Sequence, residues 1–401
     1  MARIALVALI CLATTAGAAA REVVAPAATS ARPSAPRILG PRHTTDRTPT
    51  FRFVSREAGV RSPAIRFRCA IDSKRLHACR NLYTPRLRLG THSLDVRAVD
   101  PRGRASRMSV ARVSVLRPLP HADQTIRVGS APYNVAAGFG SVWVAVDGGL
   151  ARLDATTGTV IAHIAVGGRP WGVATGEGAV WVGDYANGTV ARIDPATNSV
   201  TWTVTLTTGL GEASPVGVAA GGGSVWAADK AADEIWRLAP ATGAVLSVAH
   251  VGDAHEFVGV GEGAVWVSSE DGTVGRLDPA SGAVTKRVRA GADADFLGFS
   301  PGAVWVTNYV TESLWRLDPA TGDVAAKLNI GNTGAQGVAF DGSALWVAMY
   351  RSGQVWRINP TNGHVLRRVV VGGKPRGLVV VSGSVWVANS LSGTVSRIRV
   401  P

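Results

Sequence analysis

Apolar and polar positions along this chain alternate at the period of two that suits a β-strand, in short runs separated by glycine-rich turns. The final stretch shows the unit plainly. Arg376–Val381 alternates loosely and predicts an innermost strand. A Gly/Ser turn leads to Ser384–Asn389 (Ser-Val-Trp-Val-Ala-Asn), whose residues suit a pleated surface, and Ser392-Gly393 turns the chain into Thr394–Val400. In other units the third strand ends in a turn such as Asp318-Pro319-Ala320-Thr321-Gly322, where proline presets φ and glycine permits φ > 0. A fourth strand follows, for example Val365–Val371. Ahead of these units Ile65, Phe67, Cys69 and Ile71 alternate with Arg66, Arg68, Ala70 and Asp72, and Leu94, Val96 and Ala98 repeat that pattern.

The four-strand unit recurs. Trp143, Trp181, Trp226, Trp266, Trp305, Trp346 and Trp386 anchor it at intervals of about forty residues, with Arg152, Arg192, Arg237, Arg276, Arg316, Arg357 and Arg397 on the same beat. A tryptophan and several short strands per forty residues predict a seven-bladed β-propeller over residues 119–401. The last unit lacks a fourth strand, and Thr125–Val128 reads like that strand, so the expectation is a ring closed by 125–128 that leaves no open sheet edge. The anchor tryptophans then pack between blades, and the repeated arginines make blade-to-turn contacts.

Residues 383–398, Gly-Ser-Val-Trp-Val-Ala-Asn-Ser-Leu-Ser-Gly-Thr-Val-Ser-Arg-Ile, resemble the repeat of the YVTN/YncE-type bacterial propellers and of the related streptogramin (virginiamycin B) lyase-like propellers. The resemblance covers about residues 122–401 and implies the fold. It carries little about activity, because similar propellers host unrelated functions.

The N-terminal part has a different character. Residues 1–20 combine a basic start, an apolar run and a small-residue exit, which predicts a secretory signal; an uncut membrane anchor is the rival. An Ala/Pro linker, 21–37, has no apolar periodicity. Residues 38–118 resemble bacterial Ig-like modules in Thr-Pro-Thr-Phe-Arg-Phe (48–53), Phe-Arg-Cys-Ala-Ile-Asp (67–72), Cys79 and Gly-Thr-His-Ser-Leu-Asp-Val-Arg-Ala-Val-Asp (90–100), which implies a β-sandwich. With the signal removed, Cys69 and Cys79 remain, an even pair that in a secreted chain predicts a disulfide rather than a metal site. The whole is an all-β, secreted or extracytoplasmic protein.

Charge divides sharply between the two parts. Residues 21–121 carry 21 Lys/Arg against 6 Asp/Glu, whereas residues 122–401 carry 20 against 22. The basic module therefore suits a cell-wall or acidic surface polymer. Nucleic acid fits the charge, but secretion and the lack of interleaved aromatics argue against it. The arginine bias of a high-GC genome would give the same excess with no partner.

Candidate chemistry lies where the repeats differ. Ten residues before each anchor stand Tyr133, Trp171, Val216, Glu256, Asp295, Gln336 and Arg376. Three to four residues after it come Val146-Asp147, Asp184-Tyr185, Asp229-Lys230, Ser269-Glu270, Asn308-Tyr309, Met349-Tyr350 and Asn389-Ser390. Both sets fall on one face around the central channel, and the long link Thr207–Pro215 belongs to the same face. Tyr133, Trp171, Tyr185, Glu256, Asp295, Tyr309, Gln336, Tyr350 and Arg376 offer flat apolar platforms and directional polar groups for a small molecule, glycan or peptide.

An enzyme is the alternative. The lyase-like resemblance implies a metal-assisted elimination with a histidine base, for which His255 and Glu256 are the candidates, followed by Asp293 and Asp295 one blade later and Glu270 nearby. Asp295 is followed by Phe296-Leu297, where that pattern would have a histidine. A lactonase-like site would need Ca²⁺ or Mg²⁺ on Asp184, Asp229, Glu256, Asp295, Asn308 or Asn389. No serine-nucleophile elbow or phosphate-cradling glycine loop is present. The expectation is a binding or interaction scaffold.

Overall fold

The structure, a computed structural model, describes residues 32–56, 64–208, 211–253, 255–331 and 334–401. The expected signal and most of the linker lie outside these residues. Among the described residues every regular element is a strand, and no helix is long and apolar enough to cross a membrane. The chain divides into two compact units that part between Pro118 and Leu119.

In the first unit, a three-stranded sheet (Arg37–Leu39, Phe51–Val54, Leu82–Tyr83) and a five-stranded sheet share one core. The five-stranded sheet runs in the order His43–Thr44, Ser109–Val115, Gly90–Val99, Arg66–Ile71, His77–Cys79. Phe51 and Phe53 of the smaller sheet pack against Phe67, Leu94, Val96 and Val113 of the larger one. The period-2 pattern accounts for this: Phe67 and Cys69 point inward while Arg66 and Arg68 stay exposed. A disulfide joins Cys69 to Cys79 with a Cα separation of 6.0 Å. It ties the three-residue edge strand to the sheet, where such a link contributes roughly 2–4 kcal/mol.

The second unit consists of seven four-stranded antiparallel sheets among the described residues. We number them 1 to 7 by their innermost strands: Val135–Gly138, Pro170–Gly176, Pro215–Gly221, His255–Gly261, Ala294–Ser300, Ala335–Phe340 and Pro375–Val381. The anchor tryptophan lies on the second strand of each. Opposite it on the innermost strand is a small residue in six sheets: Ala136, Ala174, Ala219, Gly259, Gly298 and Ala339. Opposite it on the third strand is always the repeated arginine, and five of these guanidinium groups lie 4.7–5.9 Å from the indole. Arg152 and Arg276 also reach carbonyls in the next sheet's turn, of Pro195 at 2.6 Å and Pro319 at 3.2 Å.

All seven indoles are buried, and each belongs to a core shared with the following sheet. Trp266, for instance, packs with Leu297, Val304 and Val306 of sheet 5. Trp386 packs with Val135, Val142 and Val144 of sheet 1, which closes the ring. The missing fourth strand of sheet 7 is Gln124–Arg127, one residue earlier than expected at each end, with Val395 facing Ile126. Sheets arranged radially in a closed ring make a β-propeller.

Candidate functional site

A cavity of about 270 Å³ opens where the innermost strands begin. Its walls include Tyr133 of sheet 1, Trp171 of sheet 2, Glu256 of sheet 4, Asp295 of sheet 5, Gln336 of sheet 6 and Arg376 of sheet 7. In sheets 2 to 7 the strand register slips at this point, between Pro170 and Gly172, for example, or Pro375 and Leu378. The rim residue is thus the extra residue of a β-bulge, which turns its side chain out of the pleat. Val216 of sheet 3 is buried instead. The hairpin Thr207–Thr208 with Gly211–Glu212 leads into that sheet, and the tip of the long link, 209–210, lies outside the described residues.

One arc of the mouth is aromatic. Tyr133 and Tyr185 stack on Trp171 with centroids 4.4 and 4.5 Å away and interplanar angles of 7° and 11°. The Arg376 guanidinium lies 4.3 Å from the Tyr133 ring and 4.9 Å from the Tyr350 ring, and Tyr309 meets Tyr350 edge-on. Ring faces here engage one another and the guanidinium plane, so the arc offers the cavity mainly ring edges, hydroxyls and N–H groups. The expected flat platforms are consumed within the stack. Tyr185 braces Trp171 from behind and is not part of the cavity wall. Burial raises the Tyr133 phenol well above its ordinary range, the Arg376 charge opposing it, so the hydroxyl stays neutral.

The opposite arc is acidic and comes from sheets 4 and 5, which supply Glu256, Glu270, Asp293 and Asp295. Lys230, from the end of sheet 3, bonds both Glu256 and Glu270. Burial, a hydrogen bond with Glu270 and the charge of Asp295 push the Glu256 carboxyl up, against the pull of Lys230. That same hydrogen bond, with the one from Lys230, holds Glu270 below its ordinary value. Burial would lower Lys230, but its two carboxylate partners outweigh it and raise the ammonium. Burial and the charge of Asp293 push Asp295 up to about 7, against Arg376, Lys230 and the Gln336 amide. Asp293 is raised by burial and by Glu270.

The residues three positions after each anchor behave differently from those four positions after it. Alternation along the strand turns the former into the sheet, whereas Lys230, Glu270, Tyr309 and Tyr350 of the latter line the cavity. Asp184 is buried and accepts from the Arg169 and Ala186 amides at 2.7 and 3.0 Å. Asp229 accepts from Ser214 and Ala231 at 2.9 and 2.8 Å. Asn308 accepts from Ala292 at 3.1 Å and donates to the Ala290 carbonyl at 2.8 Å. These three expected metal donors are therefore loop caps, and none lines the cavity. Asn389 is likewise buried and donates to Ser396 at 2.9 Å.

The remaining donors do not suit a divalent metal. Glu256 and Glu270 already close on the Lys230 ammonium, and the Gln336 amide donates to Asp295. Among the described residues no group of three or more His, Cys, Asp or Glu is placed to hold an ion. His255 pairs through its backbone with Ser269; its side chain lies outside the described residues. Lys230, Glu270 and Asp293 line the cavity beyond the expected ligand-binding set, Glu270 and Asp293 belonging to the lyase-like alternative and Lys230 to neither. The available signal was rarity: Lys230 is one of 5 lysines in a chain with 37 arginines.

Comparison with known proteins agrees on architecture. A family model described as a repeat of unknown function (DUF6923) matches residues 171–286. No curated protein matches the chain. Among solved structures, a streptogramin B lyase superposes with a TM-score of 0.60 at 18% identity, over 68% of this chain and 96% of that one. The WD40 beta propeller domain of Doa1 gives 0.57 at 14% identity, over 69% and 96%. BamB from Moraxella catarrhalis gives 0.52 at 13% identity, over 69% and 99%. Such similarities establish a β-propeller fold.

Proposed function

We propose that this chain is an exported binding protein. In this reading the 1–20 segment directs secretion, and an Ig-like module, 38–118, attaches to an acidic surface polymer such as a cell-wall component. A seven-bladed, YncE-type propeller, 119–401, then presents a mouth that binds a small molecule, glycan or peptide. The basic excess before residue 122 and a disulfide suited to an oxidising compartment support the first half.

One observation carries the second half. Seven equivalent positions bear seven different side chains, and six of them converge on one cavity. Residues serving only the ring repeat, as the anchors do. The test is a titration of the full-length protein with small molecules, glycans and peptides, following tryptophan emission, beside Trp171→Ala and Glu256→Gln. Both variants should lose affinity while still unfolding in one cooperative denaturant transition. Ligand affinity unaltered in both would place binding elsewhere. Retention on isolated cell walls that falls with added salt checks the acidic partner; salt-independent retention would remove it.

A propeller lyase or lactonase is the second reading, favoured by Glu256 and Asp295, whose raised carboxyls suit general-acid work near neutrality. About one equivalent of Ca²⁺ or Mg²⁺ in the purified protein, lost in Glu256→Gln, would move the balance to it.

A further inference from the structure

We infer that the mouth binds a small zwitterion of amino-acid size, its carboxylate on Arg376 and its ammonium group against Asp293 and Asp295. The inference rests on the mouth being a binding site and names its ligand class. Size sets the first limit. At about 270 Å³ the cavity falls just below the roughly 300–1,000 Å³ of drug-sized sites.

Arg376 supplies the anion end. Its plane is clasped by Tyr133 and Tyr350, which leaves its edge for bonding. That edge is under-used: Nε is buried without a partner, and the terminal nitrogens reach only Gln336 Oε1 and the Tyr350 hydroxyl, both at 3.5 Å. No carboxylate pairs with it among the described residues. A planar guanidinium edge matches a carboxylate in two parallel bonds.

The cation end is the second pair of acids. Lys230 is committed to Glu256 and Glu270, so no ammonium pairs with Asp293 or Asp295 among the described residues. Gln336 stands between the two ends, only 4% exposed, donating to Asp295 and accepting from Arg376. It keeps the guanidinium and the carboxylates from closing on one another. A guanidinium and a pair of carboxyls, each without a direct ion-pair partner among the described residues and held apart by a buried amide, fit a ligand that carries both charges. A neutral sugar could hydrogen-bond both ends but would bring neither a counter-charge nor a bidentate partner for the guanidinium, and a diamine would bring none for Arg376.

The test is calorimetric titration of the full-length protein with each common L-amino acid, followed by the N-acetyl and carboxamide derivatives of the tightest binder. Methyl α-glucoside and 1,4-diaminobutane serve as neutral and dicationic probes. Each capped derivative should bind about 10- to 100-fold more weakly, as expected when a charged hydrogen bond is lost. Arg376→Gln should weaken the free amino acid yet leave the carboxamide where it was, and Asp293→Asn should do the same for the N-acetyl form. No binding by any amino acid at millimolar concentration, or capped forms binding as tightly as free ones, overturns the inference. These readings use the unmodified protein, so a variant that fails to fold does not blunt them. Glucoside or diamine binding that Trp171→Ala abolishes would overturn the zwitterion alone and leave the mouth as the site.

Discussion

Each sheet of the ring holds two equivalent positions ten residues apart, and they have met opposite demands. The anchor position is tryptophan seven times, buried each time against the next sheet. The rim position is Tyr, Trp, Val, Glu, Asp, Gln and Arg in turn, six of them at one cavity. Geometry repeats at both, so geometry alone cannot explain the contrast. An anchor faces the same apolar neighbour in every sheet. A rim residue faces the axis, where its neighbours are the other six and any shared ligand.

The strongest way to break this comparison is to truncate one tryptophan of each kind. Trp266→Ala removes a fully buried indole packed against sheet 5 and should cost about 3–5 kcal/mol in denaturant unfolding. Trp171→Ala deletes the same side chain from a partly exposed stack and should cost less than half as much while impairing binding. Equal losses would mean the rim is as structural as the anchors.

Lys230→Met probes the rim's acidic arc, where the effect should depend on pH. Glu256 is held above its ordinary carboxyl value, so the folded state binds its proton more tightly than the unfolded state does. Stability from such a group is full below the unfolded value and is lost as pH rises through the folded one. Removing the Lys230 ammonium deepens that loss. The variant should lose least near pH 4, where only the Glu270 pair persists, and fall about 1–2 kcal/mol below wild type at pH 8, less than for a fully buried pair because Lys230 keeps some exposure. Asp295→Asn works in the opposite sense. Deleting a carboxyl raised to about 7 should stabilise the ring at pH 8 by about 1 kcal/mol and change nothing at pH 4. A flat pH dependence in both variants would show that the acids are not coupled as described.

The ring was legible in the sequence because one interaction is written seven times; a tryptophan and an arginine on a fixed beat need no tertiary knowledge to be seen as a set. The rim was legible by subtraction, as the positions where that set varies. Two features were not. Asp184, Asp229 and Asn308 had the atoms of metal ligands, but a one-residue step along a strand turned them inward onto loop amides. The aromatic stack was also hidden, because Tyr133, Trp171 and Tyr185 come from two sheets whose separation only the closed ring sets. Spacing indicates which face a residue joins, and packing decides which of its neighbours claims it.

Even the seven anchors are not quite equivalent, and their difference gives the smallest and sharpest test. The indole N–H bonds the residue five positions earlier in six sheets: a glycine carbonyl in four, the Ser300 hydroxyl for Trp305 and the Asp341 carboxylate for Trp346. In sheet 7 that residue is Val381, and the buried Trp386 Nε1 has no partner. Phenylalanine keeps most of the apolar contact and deletes the donor. Trp346→Phe therefore removes a 2.8 Å bond to a carboxylate that also binds Arg357 at 2.8 Å and is held well below its ordinary value. Trp386→Phe removes a donor that was already unsatisfied. Both lose similar buried area, so the packing loss cancels in the difference, and Trp346→Phe should be the more destabilising by about 1–2 kcal/mol. Equal midpoints would mean that the Trp346 indole N–H contributes nothing even to a carboxylate, and that tryptophan stands there for its volume alone.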